Sequence, residues 1–167
     1  MHPASRTALF ALVSLASVPT LAQVASGDYR LQLESTVGLR ETCDTTAPRP
    51  VLPNGVHDVV VCLRATNVSE EVLTMHNIVS EQLGPLIGDR MYTLGPRESV
   101  YYTYAVPVAQ TIGLVSRWMA HSARGVPACA TAWSVVVVGP TPPSNDGREF
   151  AGAGLMCPPD PTTGTRP

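Results

Sequence analysis

The sequence predicts an all-β protein built as an antiparallel β-sandwich, with a disordered Pro/Gly-rich tail at its C-terminal end. Apolar and polar residues alternate over short stretches, and helical periodicity is poor almost throughout. Turn-forming residues recur about every dozen positions, the spacing of short strands in a sandwich. After Gly139 the apolar content falls and proline and glycine take over, a composition that buries too little to hold one conformation.

Residues 1–22 read as a cleavable export signal. Arg6 supplies the positive end, Thr7 to Leu21 form an apolar, small-residue core, and Thr20-Leu21-Ala22 places small residues where a signal peptidase reads. Ser14, Ser17 and Pro19 interrupt the apolar run, which is too short to span a bilayer. The sandwich is expected over residues 28–139 and the flexible tail over 140–167.

Tyr29, Leu31 and Leu33 alternate with Arg30, Gln32 and Glu34, the period of a strand with one buried face. Arg40 to Gly55 contains three prolines together with Asp44, Asn54 and Gly55, and reads as a long connection ending in a tight turn. Val56 to Thr66 is the next strand, with Val59, Val61, Leu63 and Ala65 on one face and Val60, Cys62, Arg64 and Thr66 on the other. Asn67 to Glu71 makes a turn, and Val72 to Ser80 continues as a strand. Gly84, Pro85, Gly88 and Asp89 then break the chain, as does Leu94-Gly95-Pro96-Arg97. Between Ser99 and Val108 the alternation is clearest: Val100, Tyr102, Tyr104, Val106 and Val108 fall on one side, Tyr101, Thr103 and Ala105 on the other. Thr111 to Ala123 is a further strand, and the near-continuous apolar run from Ala130 to Val138 reads as a central one. Six or seven such strands make a sandwich of immunoglobulin-like type.

The basic residues are all arginine; lysine is absent. Without an ammonium group there is no Walker-type phosphate loop, Schiff-base nucleophile or Ser-Lys pair. The arginines are scattered and the net charge is -2, so no basic face beside stacking aromatics marks a nucleic-acid binder. Cys43, Cys62, Cys129 and Cys157 all follow the export signal. In an oxidising compartment four thiols favour two disulfides over a metal site, and no C-x-x-C or C-x-x-H spacing supports zinc. Spacing alone leaves every pairing of the four open.

The segment Val61-Cys62-Leu63-Arg64-Ala65-Thr66-Asn67 resembles the strand that ends in a Thr-Asn turn in bacterial conserved-repeat surface domains. These are immunoglobulin-like modules of the type catalogued as domain of unknown function eleven, with their relatives. The likeness runs through Leu73-Thr74-Met75-His76-Asn77-Ile78-Val79 and Gln82-Leu83-Gly84. It resumes at Leu94-Gly95-Pro96-Arg97-Glu98-Ser99-Val100 and at Arg117-Trp118-Met119-Ala120, in the right order over most of Val56 to Ala123. Ser80 stands where the family usually has aspartate, and Arg97 where it usually has glycine. The resemblance implies an extracellular or envelope location and a spacer or adhesive role. A single copy suits a small binding or assembly module better than a spacer. Some relatives carry one cysteine in the loop before this strand and another within it, so the resemblance also implies a Cys43–Cys62 bridge. Cys129 and Cys157 are then left to each other, which would tether the tail.

No constellation in the sequence marks an enzyme. His57 and Asp58 are adjacent, hence on opposite faces of a strand, and His76 and His121 read as isolated, exposed strand residues. There is no G-x-S-x-G elbow and no H-E-x-x-H helix, although a Ser-His-Asp group built from distant loops is recognised by geometry alone. Glu70-Glu71 reads as two solvated carboxylates and not a calcium site. Gly152-Ala153-Gly154 lacks the flanking strand and helix of a nucleotide loop, and Asn67-Val68-Ser69 is formally a glycan acceptor. Tyr102, Tyr104, Trp118 and Trp133 are expected to fill the core. Tyr101 and Thr103 face the other way and are the candidate surface contact.

The resulting expectation is a non-catalytic, adhesin-like binding or assembly module, secreted or at the cell envelope, with no cofactor and no metal. It would meet a protein or glycan partner at the cell surface, bind no nucleic acid and keep no transmembrane segment once the signal is removed. Pairing through an exposed edge strand is the expected mode. The alternatives are a small periplasmic hydrolase with a loop-built histidine site, and a glycan-binding module.

Overall fold

The structure, a computed structural model, describes residues 24–25, 30–39, 43, 47, 49–140 and 157. The export-signal reading of residues 1–22 lies outside them, as does that of the tail apart from Pro140 and Cys157. The described strands are β1 (Val24–Ala25), β2 (Leu31–Gly38), β3 (Val51–Leu52), β4 (His57–Asn67), β5 (Leu73–Ser80), β6 (Gly84–Arg90), β7 (Ser99–Val108), β8 (Ile112–Ser122) and β9 (Pro127–Val138). They form two packed sheets, the β-sandwich that the sequence predicts. One sheet runs β1-β9-β8-β5-β6, with β3 also on β9; the other runs β2-β4-β7. Only the short β3–β9 pair is parallel. Among the described residues no helix is long and apolar enough to cross a membrane.

The alternating residues of β2 and β4 supply the inner face of the smaller sheet. Leu31, Leu33 and Val37 lie beside Val59, Val61, Leu63 and Ala65, all buried. They pack with Leu73 and Ile78 of β5, Leu114 and Trp118 of β8 and Val136 of β9. Each large aliphatic side chain buried in this way contributes about 1.5–3 kcal/mol. In β9 both faces are buried, which is why its sequence is continuously apolar. Polar groups within the sandwich are paired: the Tyr104 hydroxyl lies 2.9 Å from Ser116 Oγ, and Ser35 Oγ lies 3.1 Å from Ser134 Oγ. Burial raises the Tyr104 pKa above its ordinary value. Ser80, where the resembled family has aspartate, is buried on the same side, so this chain avoids a desolvated carboxylate there.

The two flanks of the sandwich differ. On one, β1 covers the outer edge of β9 at Thr131 and Ala132, and β3 covers it at Val137 and Val138. β2 packs over β9 from the opposing sheet, and two main-chain hydrogen bonds of 2.7 and 2.9 Å join Val37 of β2 to Ala47. On the other flank β6 and β7 each end a sheet and stay apart along most of their length. Both bridges form: Cys43–Cys62, the pair the resemblance implies, on the outer face of β4, and Cys129–Cys157, the pair then left over, on that of β9.

Two sequence expectations change. Gly84, Pro85, Gly88 and Asp89 do not break the chain but lie in β6. An edge strand needs hydrogen bonds on one side only and tolerates such residues, and β6 shifts register against β5 as it does so. The connection before β4 also contains β3. Asn67, the formal glycan acceptor, is fully buried. Its side-chain amide donates to the carbonyls of Glu71 and Leu94, and its oxygen accepts from Ser69 N and Oγ. The Thr-Asn turn is therefore a structural lock. Arg97, where the resembled family has glycine, sits at φ 64, the left-handed region that glycine suits best.

Candidate binding site at the open flank

Among the described residues, strand β7 is the outer edge of the smaller sheet, paired only with β4. The direction of its main-chain groups follows from the ladder. Asn67 N donates to Glu98 O at 3.0 Å, and from there the antiparallel pattern makes alternate residues hydrogen-bond across the pair. The residues bonded to β4 are thus Val100, Tyr102, Tyr104, Val106 and Val108. The N–H and C=O groups of Tyr101, Thr103 and Ala105 point away from the sheet. Pro107 falls in the outward set, where its missing N–H costs no ladder bond. The side chains of Tyr101, Thr103 and Ala105 are also exposed, Tyr101 by 58%. Tyr101 and Thr103, the predicted surface contact, therefore lie on an unpaired edge. Their cross-strand neighbours on the outer face are Arg64 and the bridged Cys62.

Behind this edge, between the sheets, is a cavity of about 280 Å³. His76 of β5 and Trp118 of β8 contribute from the larger sheet, and Val100, Tyr101 and Tyr102 from β7. Ile87 and Arg90 of β6 and Tyr92, just beyond it, complete the lining. Of the four aromatics assigned to the core, Tyr104, Trp118 and Trp133 are buried, whereas Tyr102 is only half-buried because it faces this cavity.

His76 overturns its sequence reading: it is 2% exposed and not on the surface. The cause is a bulge. Met75 adopts φ 52, and the register of β5 shifts against β8 between Thr74 and Asn77. One extra residue in a strand reverses which face the following side chains take, so Leu73, His76, Ile78 and Ser80 all point inward. A matching irregularity lies across the pair, where Asp89 adopts φ 45. Asn77 clamps it: its amide donates to Asp89 Oδ1 at 3.1 Å, and Asp89 N donates to Asn77 Oδ1 at 2.8 Å. The two bends set His76 and Arg90 as register partners.

The indole N–H of Trp118 donates to His76 Nδ1 at 3.0 Å. In the neutral ring the proton is then on Nε2. Nε2 is buried and closes no hydrogen bond of ordinary geometry. Burial lowers the His76 pKa below 6.5, opposed by the carbonyls of Leu73 and Tyr92. Tyr92 packs edge-on against the imidazole, with ring centroids 5.7 Å apart. Neither the burial of His76 nor the placing of Arg90 has a sequence signature, because methionine and aspartate do not announce a left-handed backbone as glycine does.

The other singled-out residues do not converge on this site. His57 lies on β4, with Nε2 2.9 Å from Pro53 O, and His121 is half-buried near the end of β8. Among the described residues no histidine ring is hydrogen-bonded to a hydroxyl or a carboxylate, and no group of three His, Cys, Asp or Glu could hold a metal ion. Glu70 and Glu71 pair with Arg97 and Arg124 respectively.

No family model matches the chain, and no curated protein matches it. Several solved structures are distantly similar, three of them as follows. A Bordetella pertussis protein described as ApaA has a TM-score of 0.43 at 16% identity, over 71% of this chain and 100% of its own. The structural-genomics target SoR45 has a TM-score of 0.38 at 10% identity, over 70% and 89%. A Niemann-Pick type C2 protein from Japanese carpenter ant has a TM-score of 0.35 at 7% identity, over 70% and 98%. Similarity at this level says nothing about ligand or activity.

Proposed function

We propose that this protein is an exported, non-catalytic binding or assembly module that recruits an extended segment of a partner protein along β7. The observation that carries the reading is the unpaired edge itself. Tyr101, Thr103 and Ala105 present outward main-chain donors and acceptors, with exposed side chains, on a strand of ten residues. An added strand satisfies such groups with main-chain hydrogen bonds, while alternate side chains supply specificity. Tyr101 adds a rigid aromatic contact of the kind that anchors interfaces. Two disulfides fit maturation outside a reducing cytosol.

The test uses Thr103→Pro. Because the Thr103 N–H points away from β4, proline there keeps the existing ladder but blocks strand addition, as Pro107 already shows is sterically allowed. A partner captured from the envelope fraction by the wild type should be lost by Thr103→Pro at unchanged thermal stability. Hydrogen exchange in the complex should slow at Tyr101, Thr103 and Ala105. Retained capture by Thr103→Pro, with protection elsewhere, would refute the reading. Glycan binding abolished by Tyr101→Ala would replace it with the glycan-binding alternative.

A further inference from the structure

We propose that the cavity at the open flank is a binding site for a small carboxylic acid with a flat apolar body, its carboxylate held by Arg90 and its body against Ile87, Tyr102 and Trp118. The charge of the lining selects this occupant. Among the described residues, Arg90 is the only charged side chain in the lining, which holds no carboxylate; the neighbouring Asp89 is bonded to Asn77, and Arg90 makes no ion pair with any described residue. Aromatic walls by themselves suit cations, but a cationic ligand would meet the guanidinium. A neutral apolar ligand would leave the Arg90 guanidinium unused.

Arg90 lies on β6 directly across from His76, its register partner on β5, so the guanidinium and the aromatic wall border one cavity. Charge-assisted bonds from a planar guanidinium are the strong ones in such recognition. The volume of about 280 Å³ lies near the lower end of ligand pockets and suits a single ring with a short side chain. The backbone supports a built site as well. Met75 and Asp89, beside His76 and Arg90, are non-glycine residues in the left-handed region. Strain of this kind persists where surrounding structure over-determines it, and it clusters at ligand sites.

Titration calorimetry with three probes of one body, phenylacetate, phenethyl alcohol and phenethylamine, tests the proposal on the intact protein. Phenylacetate should saturate one site, the alcohol should bind roughly tenfold more weakly, and the amine should not bind. Arg90→Gln alters an exposed side chain, and it should weaken the acid by a similar factor while leaving the alcohol unchanged. Equal affinity for acid and amine overturns the proposal, as does acid binding indifferent to Arg90→Gln or the lack of saturable heat with phenylacetate. The outcome is separate from that of strand addition: binding of the acid without capture of a partner sinks only the reading of β7.

Discussion

His76 should make the folded protein less stable in mild acid. Its imidazole is buried against Trp118 and accepts the indole N–H, so burial holds its pKa below 6.5. The unfolded chain takes up a proton near that value which the folded chain resists. The histidine's contribution is therefore complete above about pH 6.5 and is lost as the pH falls toward the folded value. One group changes the unfolding free energy by at most about 1.4 kcal/mol per pH unit. The loss accrues below about pH 6.5, before most carboxylates titrate, and is large against a typical domain's marginal stability wherever it approaches that limiting slope. Urea titrations at several pH values, read by tryptophan fluorescence, measure the slope. His76→Gln removes the titration while keeping a carbonyl to accept from Trp118, and it should flatten the profile in this window. A wild type with no slope there, or a variant with the same slope, would show that His76 is not held neutral by its surroundings.

Asn67→Ala removes four side-chain hydrogen bonds from a fully buried turn and should cost about 3–4 kcal/mol at about 1 kcal/mol per bond; a loss under about 1 kcal/mol in denaturant titrations contradicts the lock. Replacing Cys43 and Cys62 together by serine opens a loop with a sequence separation of 19. It should cost about 3 kcal/mol in the same assay, whereas unchanged stability would mean that the bridge constrains little. Arg97→Gly relieves a left-handed residue whose exposed pairing with Glu70 contributes little, so the Tm should rise; a lower Tm would mean the ion pair outweighs the strain. Met75→Gly relieves about 1 kcal/mol of backbone strain, offset in part by the freedom glycine gains in the unfolded chain. Its stability should stay within about 1 kcal/mol of wild type, while Met75→Val should be clearly worse, an ordering that thermal melts of the pair can reverse.

Much of the architecture is legible in the sequence because a strand reports its faces locally. The two-residue alternation through Val59, Val61, Leu63 and Ala65 placed the core of the smaller sheet correctly, and the same alternation put Tyr101 and Thr103 on its exposed side. The apolar run of β9 announced a strand covered on both faces. The resemblance through the Thr-Asn turn also anticipated the Cys43–Cys62 bridge.

The candidate site was far less legible. Alternation counts residues, and a bulge breaks the count without changing composition, so Met75 at φ 52 turned His76 inward unannounced. Glycine and proline at positions 84, 85 and 88 suggested a break, because sequence does not say that a strand will lie at an edge with only one side to satisfy. Residue order and local chemistry thus determined which segments are strands, which faces are apolar and that Tyr101 and Thr103 look outward. Tertiary structure alone decided that β7 has no outer neighbour among the described residues, that β6 and β7 leave a gap, and that His76, Arg90 and Trp118 border one cavity. These depend on which distant strands meet, and pairing between strands far apart in the chain is set by the packing of the whole sandwich rather than by any local run of residues.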